Sequence, residues 1–374
     1  MHIAFDAREI ERKPSGVGIH LINILNRLLR DGHEVVLITQ YDELFWEIPS
    51  QFSKQVTHVS IDKPRFKNVE LGKIVWEEEV IPTVLEQTKP DLYHAVENDG
   101  IPDTSIPSIV TVHDVIPLIL PKNQTDYFCR YLAYGLAVHR AKKIICVSQN
   151  SQKDVSKYFP EAKDKSQVIY NGAEKLKMDG ENPFKEHAPY LIYFGGFDAR
   201  KNIDLLVRAF VKIRQSHPDF RLLIIGEKLD NPYRHAVEKL VQDLKIEESV
   251  VFTGYISHEQ LGAILKDAFC SVYPSKYEGF GLPPVESMAA GCPAIVANNS
   301  SLPEIVGDAG ILVETDSEEA IGEAVEKLFQ DPPLRQQLIE AGYAQAKKFD
   351  WETTYQQVLK VYEEVVSSSH AKRS

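Results

Sequence analysis

The stretch KYEGFGLPPVE (276–286) lies between two segments of different character. A run of strand-forming residues, FCSVYP (269–274), precedes it, and a helix-forming run, VESMAAG (285–291), follows it. Proline is tolerated in the first helical turn because its missing N–H would have no intrahelical partner there, so Pro283 and Pro284 mark the start of the helix. The stretch therefore predicts a turn from a β-strand into an α-helix.

The start of this helix predicts a binding site for an anion. Glycine lets the backbone approach a ligand closely, and the first N–H groups of a helix point out of its N-terminus, which suits phosphate. Two carboxylates, Glu278 before the turn and Glu286 in the first helical turn, would flank an anion that carries a hydroxylated group on each side. Alternatively, Glu286 only complements the helix dipole. The backbone positions of the predicted anion site are Gly279, Phe280, Gly281 and Leu282.

Length and composition exclude several classes of protein. A chain of 374 residues is too long for one ordinary core and predicts two domains. The sequence has neither an apolar run of about 18 residues nor an N-terminal signal pattern, so we expect a cytoplasmic protein. The four cysteines are widely spaced, which favours reduced thiols over ligands or disulfides. Because no Asp-x-Asp and no ligand cluster occur in the sequence, we expect no metal and no other cofactor.

The charge of the chain bears on its partners. A net charge of −12 argues against nucleic acid, because phosphate backbones are bound by basic surfaces. The charge is −3 over residues 1–180 and −9 over the remainder, so an anionic surface would meet the N-terminal half. There, YFCRYLAYGLAVHRAKK (127–143) mixes aromatic and basic residues. Two interpretations remain open: a peripheral contact with the inner face of a membrane, and a buried helix with a basic end.

Short apolar strands alternate with helical patterns in two consecutive series, which is typical of parallel sheets with helices on both faces. We predict two Rossmann-like α/β domains at 1–177 and 189–348, joined by a polar linker at 178–188. The last segment, 349–374, keeps aromatic residues at helical spacing and predicts a helix that crosses back to the N-terminal domain, followed by a tail. The predicted strands are 2–7, 34–39, 57–61, 91–95, 108–114, 143–148 and 167–172, then 190–196, 221–227, 250–255, 269–274, 293–298 and 310–314.

Ligands of open α/β sheets bind at the carboxyl ends of the strands, so polar residues there are candidates. Within PSGVG, Gly16 and Gly18 lack the third glycine of a dinucleotide fingerprint, which leaves a close backbone approach to a ligand or a simple turn. His113 emerges from an apolar strand and fits either a site residue or a packed histidine. Arg200 and Lys201 follow a glycine-rich strand end and would neutralise phosphate, unless they are solvated charges.

Together, several motifs resemble those of the retaining glycosyltransferases of glycosyltransferase family 4: SGVG, TVHD, VIYNG, GGFDARKN, FTGYIS, EGFGLPPVE and SSLPEIVGDAGILV. The resemblance covers about residues 1–365 and implies the GT-B architecture, in which two Rossmann-like domains face a central cleft. It implies transfer of a hexosyl unit, with retention, from a nucleotide-diphosphate sugar to a hydroxyl of a glycan or lipid-linked acceptor. Similar spacing in mannosyltransferases of surface-polysaccharide assembly favours GDP-mannose as the donor.

The resemblance also implies a role for each candidate residue. Glu286 would bind the ribose hydroxyls of the nucleotide, Glu278 the hydroxyls of the transferred sugar, and the backbone of Phe280 to Leu282 the diphosphate. His113 would contact the donor sugar near the reacting carbon, and Lys201 would stabilise the leaving phosphate. The remaining implied contacts are the closing loop at Gly16 and Gly18 and the base-binding region at Gly254 and Tyr255.

One position departs from the family pattern. Many relatives have an arginine after the first glycine of GGFDARKN, where this chain has Gly196, and Arg200 is the candidate to replace it. Other functions of the same architecture therefore stay open: a nucleotide-sugar epimerase, a phosphorylase, or a sugar-nucleotide binding protein without catalysis. The missing arginine favours the last of these, whereas the presence of both glutamates, His113 and Lys201 favours the transferase.

Overall fold

The computed structural model describes residues 1–11, 13, 15–61, 69–226 and 230–370. The chain divides into two compact units, one formed by Met1–Gly172 with Trp351–Ser374 and one by Ala173–Asp350. The division falls after residue 172, before the predicted boundary at 177. The segment predicted as a linker, 178–188, lies in the second unit, where the Asn182 amide donates hydrogen bonds to Tyr190 and Asp267.

The first unit contains a seven-stranded sheet whose described strand pairs are all parallel, in the order β3-β2-β1-β4-β5-β6-β7. Helices cover both faces, so the central strands are buried on both sides and read as uninterrupted apolar runs. The strands are β1 His2–Asp6, β2 Glu34–Thr39, β3 Val56–Ser60, β4 Leu92–Ala95, β5 Ser108–Val112, β6 Lys143–Cys146 and β7 Ser166–Val168. The helices are α1 Gly16–Arg30, α2 Val69–Val75, α3 Ile81–Thr88, α4 Ile116–Ile119, α5 Gln124–Arg140 and α6 Gln149–Tyr158, with a π-helical turn, Trp76–Val80, between α2 and α3.

The second unit repeats this plan with six parallel strands in the order β10-β9-β8-β11-β12-β13. The strands are β8 Tyr190–Phe194, β9 Arg221–Ile225, β10 Val250–Gly254, β11 Cys270–Tyr273, β12 Ala294–Ala297 and β13 Gly310–Val313. The helices are α7 Ile203–Ser216, α8 Pro232–Asp243, α9 His258–Asp267, α10 Leu282–Ala289, α11 Leu302–Val306, α12 Glu318–Gln330 and α13 Pro332–Ala346. In both sheets the strand order reverses beside the first strand of the unit, the arrangement that places ligand sites at carboxyl strand ends.

The last helix, α14 (Trp351–His370), belongs to the first unit. A Cβ at Gly172 would overlap Trp351, so the helix begins in close contact with the end of the first unit's earlier segment. Further along, Tyr362 and His94 share a buried hydrogen bond of 2.7 Å. At the surface, Glu352 pairs with Arg30 at 2.8 Å. The predicted return of the C-terminal helix to the N-terminal domain is confirmed.

All thirteen predicted strands are present, and most end one or two residues earlier than predicted. Some residues just beyond the observed ends, such as Ala7, Val147 and Ile169, still donate a single backbone hydrogen bond to the neighbouring strand, so each strand fades out over a residue or two. Pro14 in the predicted PSGVG turn, the predicted strand end at Glu227 and the tail at 371–374 lie outside the described residues. Among the described helices, none combines the length and apolar character needed to cross a bilayer.

Candidate functional site

Helix α10 begins at Leu282, so Pro283 and Pro284 occupy its second and third positions as the sequence predicts. Gly281 precedes it with φ 118°, a left-handed conformation that side chains disfavour. Because of this early start, Glu286 is the fifth helical residue and lies in the second turn, which corrects its predicted place in the first. Its side chain is buried. Burial and the nearby Glu174 raise the pKa of Glu286 to about 8, the opposite of what a charge-stabilising helix dipole would do.

The loop before α10 is held by two serines. The Ser301 hydroxyl lies 2.6 Å from the Phe280 carbonyl and 3.0 Å from the Glu278 carbonyl, and the Ser300 hydroxyl accepts the backbone N–H of Glu278 at 3.0 Å. These contacts fix the backbone between Glu278 and the helix. The carboxylate of Glu278 therefore projects from a supported loop.

Glu278 is paired with two cations. Lys201 Nζ lies 2.7 Å from Oε1, and Arg200 Nη1 lies 2.9 Å from Oε2. Burial would raise the pKa of Glu278, but Lys201 and Arg200 outweigh burial and hold it below its ordinary value. The pairing follows from topology: Arg200 and Lys201 come after β8 and Glu278 comes after β11, and these strands are parallel neighbours. The structure thus brings together three of the predicted site residues.

Gly196 occupies open space. A Cβ added there would meet no atom within 4 Å, so the first carbon of a side chain would displace no neighbour. Arg200, the candidate replacement for the family arginine, donates through Nη1 to the Tyr277 carbonyl at 3.0 Å as well as to Glu278. Its guanidinium is therefore already bonded to the loop before α10.

Gly254 and Tyr255 lie at the carboxyl end of β10, an outer strand of the second sheet. Gly254 has φ 77°, and Tyr255 is exposed. The Gly254 carbonyl accepts the N–H of Gly226, which follows the neighbouring strand β9. A Cβ at Gly226 would lie 2.6 Å from the Gly195 carbonyl, so glycine is required at a position that the sequence interpretation did not single out.

In the first unit, Gly16 and Gly18 lie inside helix α1, which corrects the predicted turn before a helix. Ser15 caps the helix, and its hydroxyl accepts the backbone N–H groups of Val17 and Gly18. The helix starts this early because a serine cap satisfies these N–H groups. Both glycines therefore belong to the first turn of α1.

His113 follows β5 and is held by the loop after β4. Its backbone N–H donates to Asn98 Oδ1 at 2.7 Å, and its Nε2 lies 2.9 Å from the Val96 carbonyl. A carbonyl only accepts, so Nε2 carries the proton and Nδ1 is the acceptor in the neutral ring. Burial and the neighbouring His20 lower the pKa of His113 to about 3, so the imidazole is uncharged at neutral pH.

A carboxylate cluster at the edge of the first sheet escaped the sequence interpretation. We call it the Lys73 cluster: Lys73 Nζ lies 2.8 Å from Asp99, 3.6 Å from Glu97 and 4.0 Å from Glu77. Burial and the charge of Asp99 raise the pKa values of Glu77 and Glu97. Glu97 and Asp99 follow β4, so acidic residues after a strand were the available signal.

Two parallel α/β units with polar residues at carboxyl strand ends match the two Rossmann-like domains of the GT-B architecture. Solved structures agree on the fold. The chain is similar to sucrose-phosphate synthase from Thermosynechococcus elongatus, with a TM-score of 0.81 and 20% identity over 98% of this chain and 99% of that one. It is also similar to Anabaena HepE, solved in complex with UDP and glucose, with a TM-score of 0.76 and 20% identity over 97% and 100% of the two chains.

Two family models identify the chain more closely. Glycosyltransferase Family 4 matches residues 14–174, and Glycosyl transferases group 1 matches residues 174–345. The protein belongs to this family of glycosyltransferases, as the motif resemblance predicted. Among its relatives, O-antigen chain mannosyltransferase B of Escherichia coli is 29% identical over 74% of this chain and 75% of that protein. O-antigen chain mannosyltransferase RfbU of Salmonella typhimurium is 30% identical over 60% and 61% of the two proteins.

Proposed function

We propose that this glycosyltransferase moves a mannosyl unit from GDP-mannose to a hydroxyl of a glycan or lipid-linked acceptor, with retention at the anomeric carbon and without a metal ion. The observation that carries the proposal is the pairing of Glu278 with Arg200 and Lys201 beside the start of α10. Similarity to the two O-antigen mannosyltransferases supports mannose. The proposal places the reaction in the cytoplasm.

The donor diphosphate, in this proposal, binds where α10 begins. Backbone N–H groups at Phe280, Gly281 and Leu282 and the positive end of the helix dipole favour an anion. Lys201 and Arg200 add two charges, which they share between Glu278 and the phosphates. Since Glu278 remains ionised, it accepts hydrogen bonds from hydroxyls of the transferred sugar.

Glu286 binds the ribose of the nucleotide. Because its pKa is raised to about 8, its carboxyl is mostly protonated at pH 7 and both donates and accepts a hydrogen bond. A ribose diol also donates and accepts, so the two groups match. Gly254 and exposed Tyr255 are proposed to lie near the base.

Transfer breaks the bond between the anomeric carbon and the phosphate oxygen, and the electron pair leaves with the diphosphate. The acceptor oxygen bonds to the same face of the carbon, and its proton passes to the leaving phosphate. Lys201 and the α10 N–H groups stabilise the charge that develops on the leaving group. His113, neutral and with Nδ1 as an acceptor, is proposed to bind a hydroxyl of the donor sugar.

The first test is thermal unfolding with GDP, UDP, ADP and dTDP, each with Mg²⁺ and with EDTA. A ligand at about 100 times its Kd adds ~2.7 kcal/mol to the free energy of unfolding, which raises Tm by several degrees. The proposal expects a rise with GDP that EDTA leaves unchanged. If no nucleotide raises Tm, the proposed donor site is wrong. If UDP alone raises Tm, the site is supported, but GDP-mannose is not the donor.

A second test addresses the chemistry. Incubation with GDP-mannose and a panel of glycan and lipid-linked acceptors should give a mannosylated product whose anomeric configuration, read by NMR, equals that of the donor. Conversion of the nucleotide sugar without an acceptor would indicate an epimerase instead, and a strict requirement for free phosphate would indicate a phosphorylase. Nucleotide binding without turnover over the whole panel would favour a non-catalytic binding protein, the function that Gly196 supports.

A further inference from the structure

The outward face of α5 is apolar. Phe128, Tyr131, Leu132 and Leu136 expose 62%, 38%, 64% and 47% of their surface, and we call these four residues the α5 row. At 3.6 residues per turn they fall within an arc of about 140° on one side of the helix. The opposite side packs into the core of the first unit through Tyr134, Ala137 and Val138. Exposed apolar residues are usually scattered singly, so a continuous row marks a surface that another body covers.

One member of the row, Tyr131, packs against neighbouring aromatic rings. The ring of Tyr131 packs against Phe159 at 5.0 Å between centroids and stacks on Tyr127 at 6.0 Å. A Cβ at Gly135 would lie 3.2 Å from Phe159, so α5 rests closely on the end of α6. Tyr131 is therefore held by two neighbouring rings, and α5 has little space between itself and the end of α6.

Positive charge surrounds the row in an otherwise acidic protein. Residues 120–165 contain nine Lys and Arg against four Asp and Glu, a net charge of +5, whereas the whole chain carries −12. Lys122, Lys142 and Lys157 are exposed in this segment. Arg140 pairs with Glu78 at 2.6 Å, so the exposed lysines supply most of the outward charge.

We propose that the α5 row rests on the surface of an anionic phospholipid bilayer, with its apolar side chains at the boundary of headgroups and acyl chains and the flanking lysines against lipid phosphates. An apolar helix face bordered by lysines is the pattern of interfacial helices, and each lysine near an anionic surface strengthens binding roughly fivefold. This interaction does not rest on the proposed transfer reaction. The contact surface is the α5 row, and the lipid is an anionic phospholipid.

Sedimentation with vesicles tests the proposal. The protein should bind vesicles of phosphatidylglycerol and phosphatidylcholine, bind pure phosphatidylcholine far more weakly, and release in high salt. The double substitution Phe128→Ser with Leu132→Ser should lower the partition coefficient at least tenfold, since burial of each side chain contributes about tenfold or more. The matched control is Phe45→Ser, an exposed aromatic residue of the same unit outside the row, which should bind as the parent does. Failure of the parent protein to bind anionic vesicles, or equal binding by the double variant, overturns the proposal.

A second measurement keeps the apolar face intact. The native tryptophans Trp46, Trp76 and Trp351 are buried, so Leu132→Trp adds an exposed reporter. Its emission should shift to the blue with anionic vesicles and be quenched by brominated lipids, whereas Phe45→Trp should show neither effect. A blue shift that grows with protein concentration in the absence of vesicles would mean that a second copy or another protein surface covers the row, and this result also overturns the proposal. The vesicles contain no nucleotide and no acceptor, so the outcome is independent of transferase activity.

Discussion

The carboxyl edges of the two sheets handle buried carboxylates in opposite ways. At the second sheet one carboxylate, Glu278, has two cations within 2.9 Å, and its pKa is lowered. In the Lys73 cluster of the first sheet, three carboxylates share two cations, Lys73 and, 3.8 Å from Asp99, Arg130, and the pKa values of Glu77 and Glu97 are raised. Burial raises the pKa of a carboxyl at both edges, so the number of cations per carboxylate decides whether the net pKa shift is upward or downward.

This difference has a chemical consequence. Glu278 stays ionised through neutral pH, so the second edge presents a constant charge pattern to a ligand. The Lys73 cluster binds protons at a higher pH than ordinary carboxylates do, so its charge changes over the range where Glu278 is constant. The following substitutions test the two halves of this comparison.

Lys201→Ala should have the largest effect, because it removes one of the two cations of Glu278 and the proposed partner of the leaving phosphate. We expect kcat to fall by about 10²–10³, the size seen when one electrostatic donor is lost. Steady-state assays with saturating donor and acceptor measure it. The control is Lys212→Ala, a lysine of the same unit paired at the surface with Glu318, which should retain full activity. A rate within about threefold of the parent for Lys201→Ala would falsify the role.

Lys73→Met should act on stability. Removing Lys73 leaves Asp99 with Arg130 but takes from Glu77 and Glu97 the cation they pair with, and we expect a loss of about 3 kcal/mol in the free energy of unfolding of the first unit at pH 8. At pH 6 the loss should be smaller, because Glu77 and Glu97, whose pKa values are raised, take up protons and no longer need the cation. Urea unfolding followed by tryptophan fluorescence reports this unit, since all three tryptophans lie in it. A loss that is equal at both pH values would contradict the shared-cation account.

Glu286→Gln should change the pH dependence of the second unit. The folded state holds a proton on Glu286 up to a pKa of about 8, whereas an unfolded carboxyl releases it near its ordinary value. Between these values stability is lost as pH rises, by at most about 1.4 kcal/mol per pH unit for one proton. The glutamine variant lacks this slope, so its advantage over the parent should grow from pH 5 to pH 8 and then level off. Calorimetry without nucleotide measures both curves, and parallel curves would count against a buried neutral carboxyl.

Gly196→Arg should have the smallest effect. Because a Cβ at this position meets open space, the change in unfolding free energy should stay within about 0.5 kcal/mol. Since Arg200 is bonded to Glu278 and Tyr277, the added cation should raise the transfer rate about threefold, the size of an interaction near 0.7 kcal/mol at a solvated site. Gly196→Gln, which adds bulk without charge, is the control. If the arginine variant transfers more slowly than the parent, Arg200 already fills the role of the family arginine.

The sequence predicts the strands well because strands such as β8 are buried on both faces and read as unbroken apolar runs. It also marks Arg200, Lys201 and Glu278 as strand-end residues. It does not predict their pairing, since that depends on β8 and β11 being neighbours, a property of the whole sheet. For the same reason the Lys73 cluster was missed: Lys73 and Asp99 come from segments without a common local pattern. Whether Glu286 lies in the first or the second helical turn depends on where α10 begins, and Gly281 sets that point.

The docking of α14 on the first unit has a consequence for how the protein is made. Residues 173–350 form a complete unit, whereas the first unit contains two separate segments of the chain. On the ribosome, the second unit can fold as soon as it emerges. The first unit, although its strands are synthesised first, waits for Trp351 to cover Gly172 and for Tyr362 to reach His94. A released chain truncated after residue 350 should therefore contain a folded second unit and an unfinished first one.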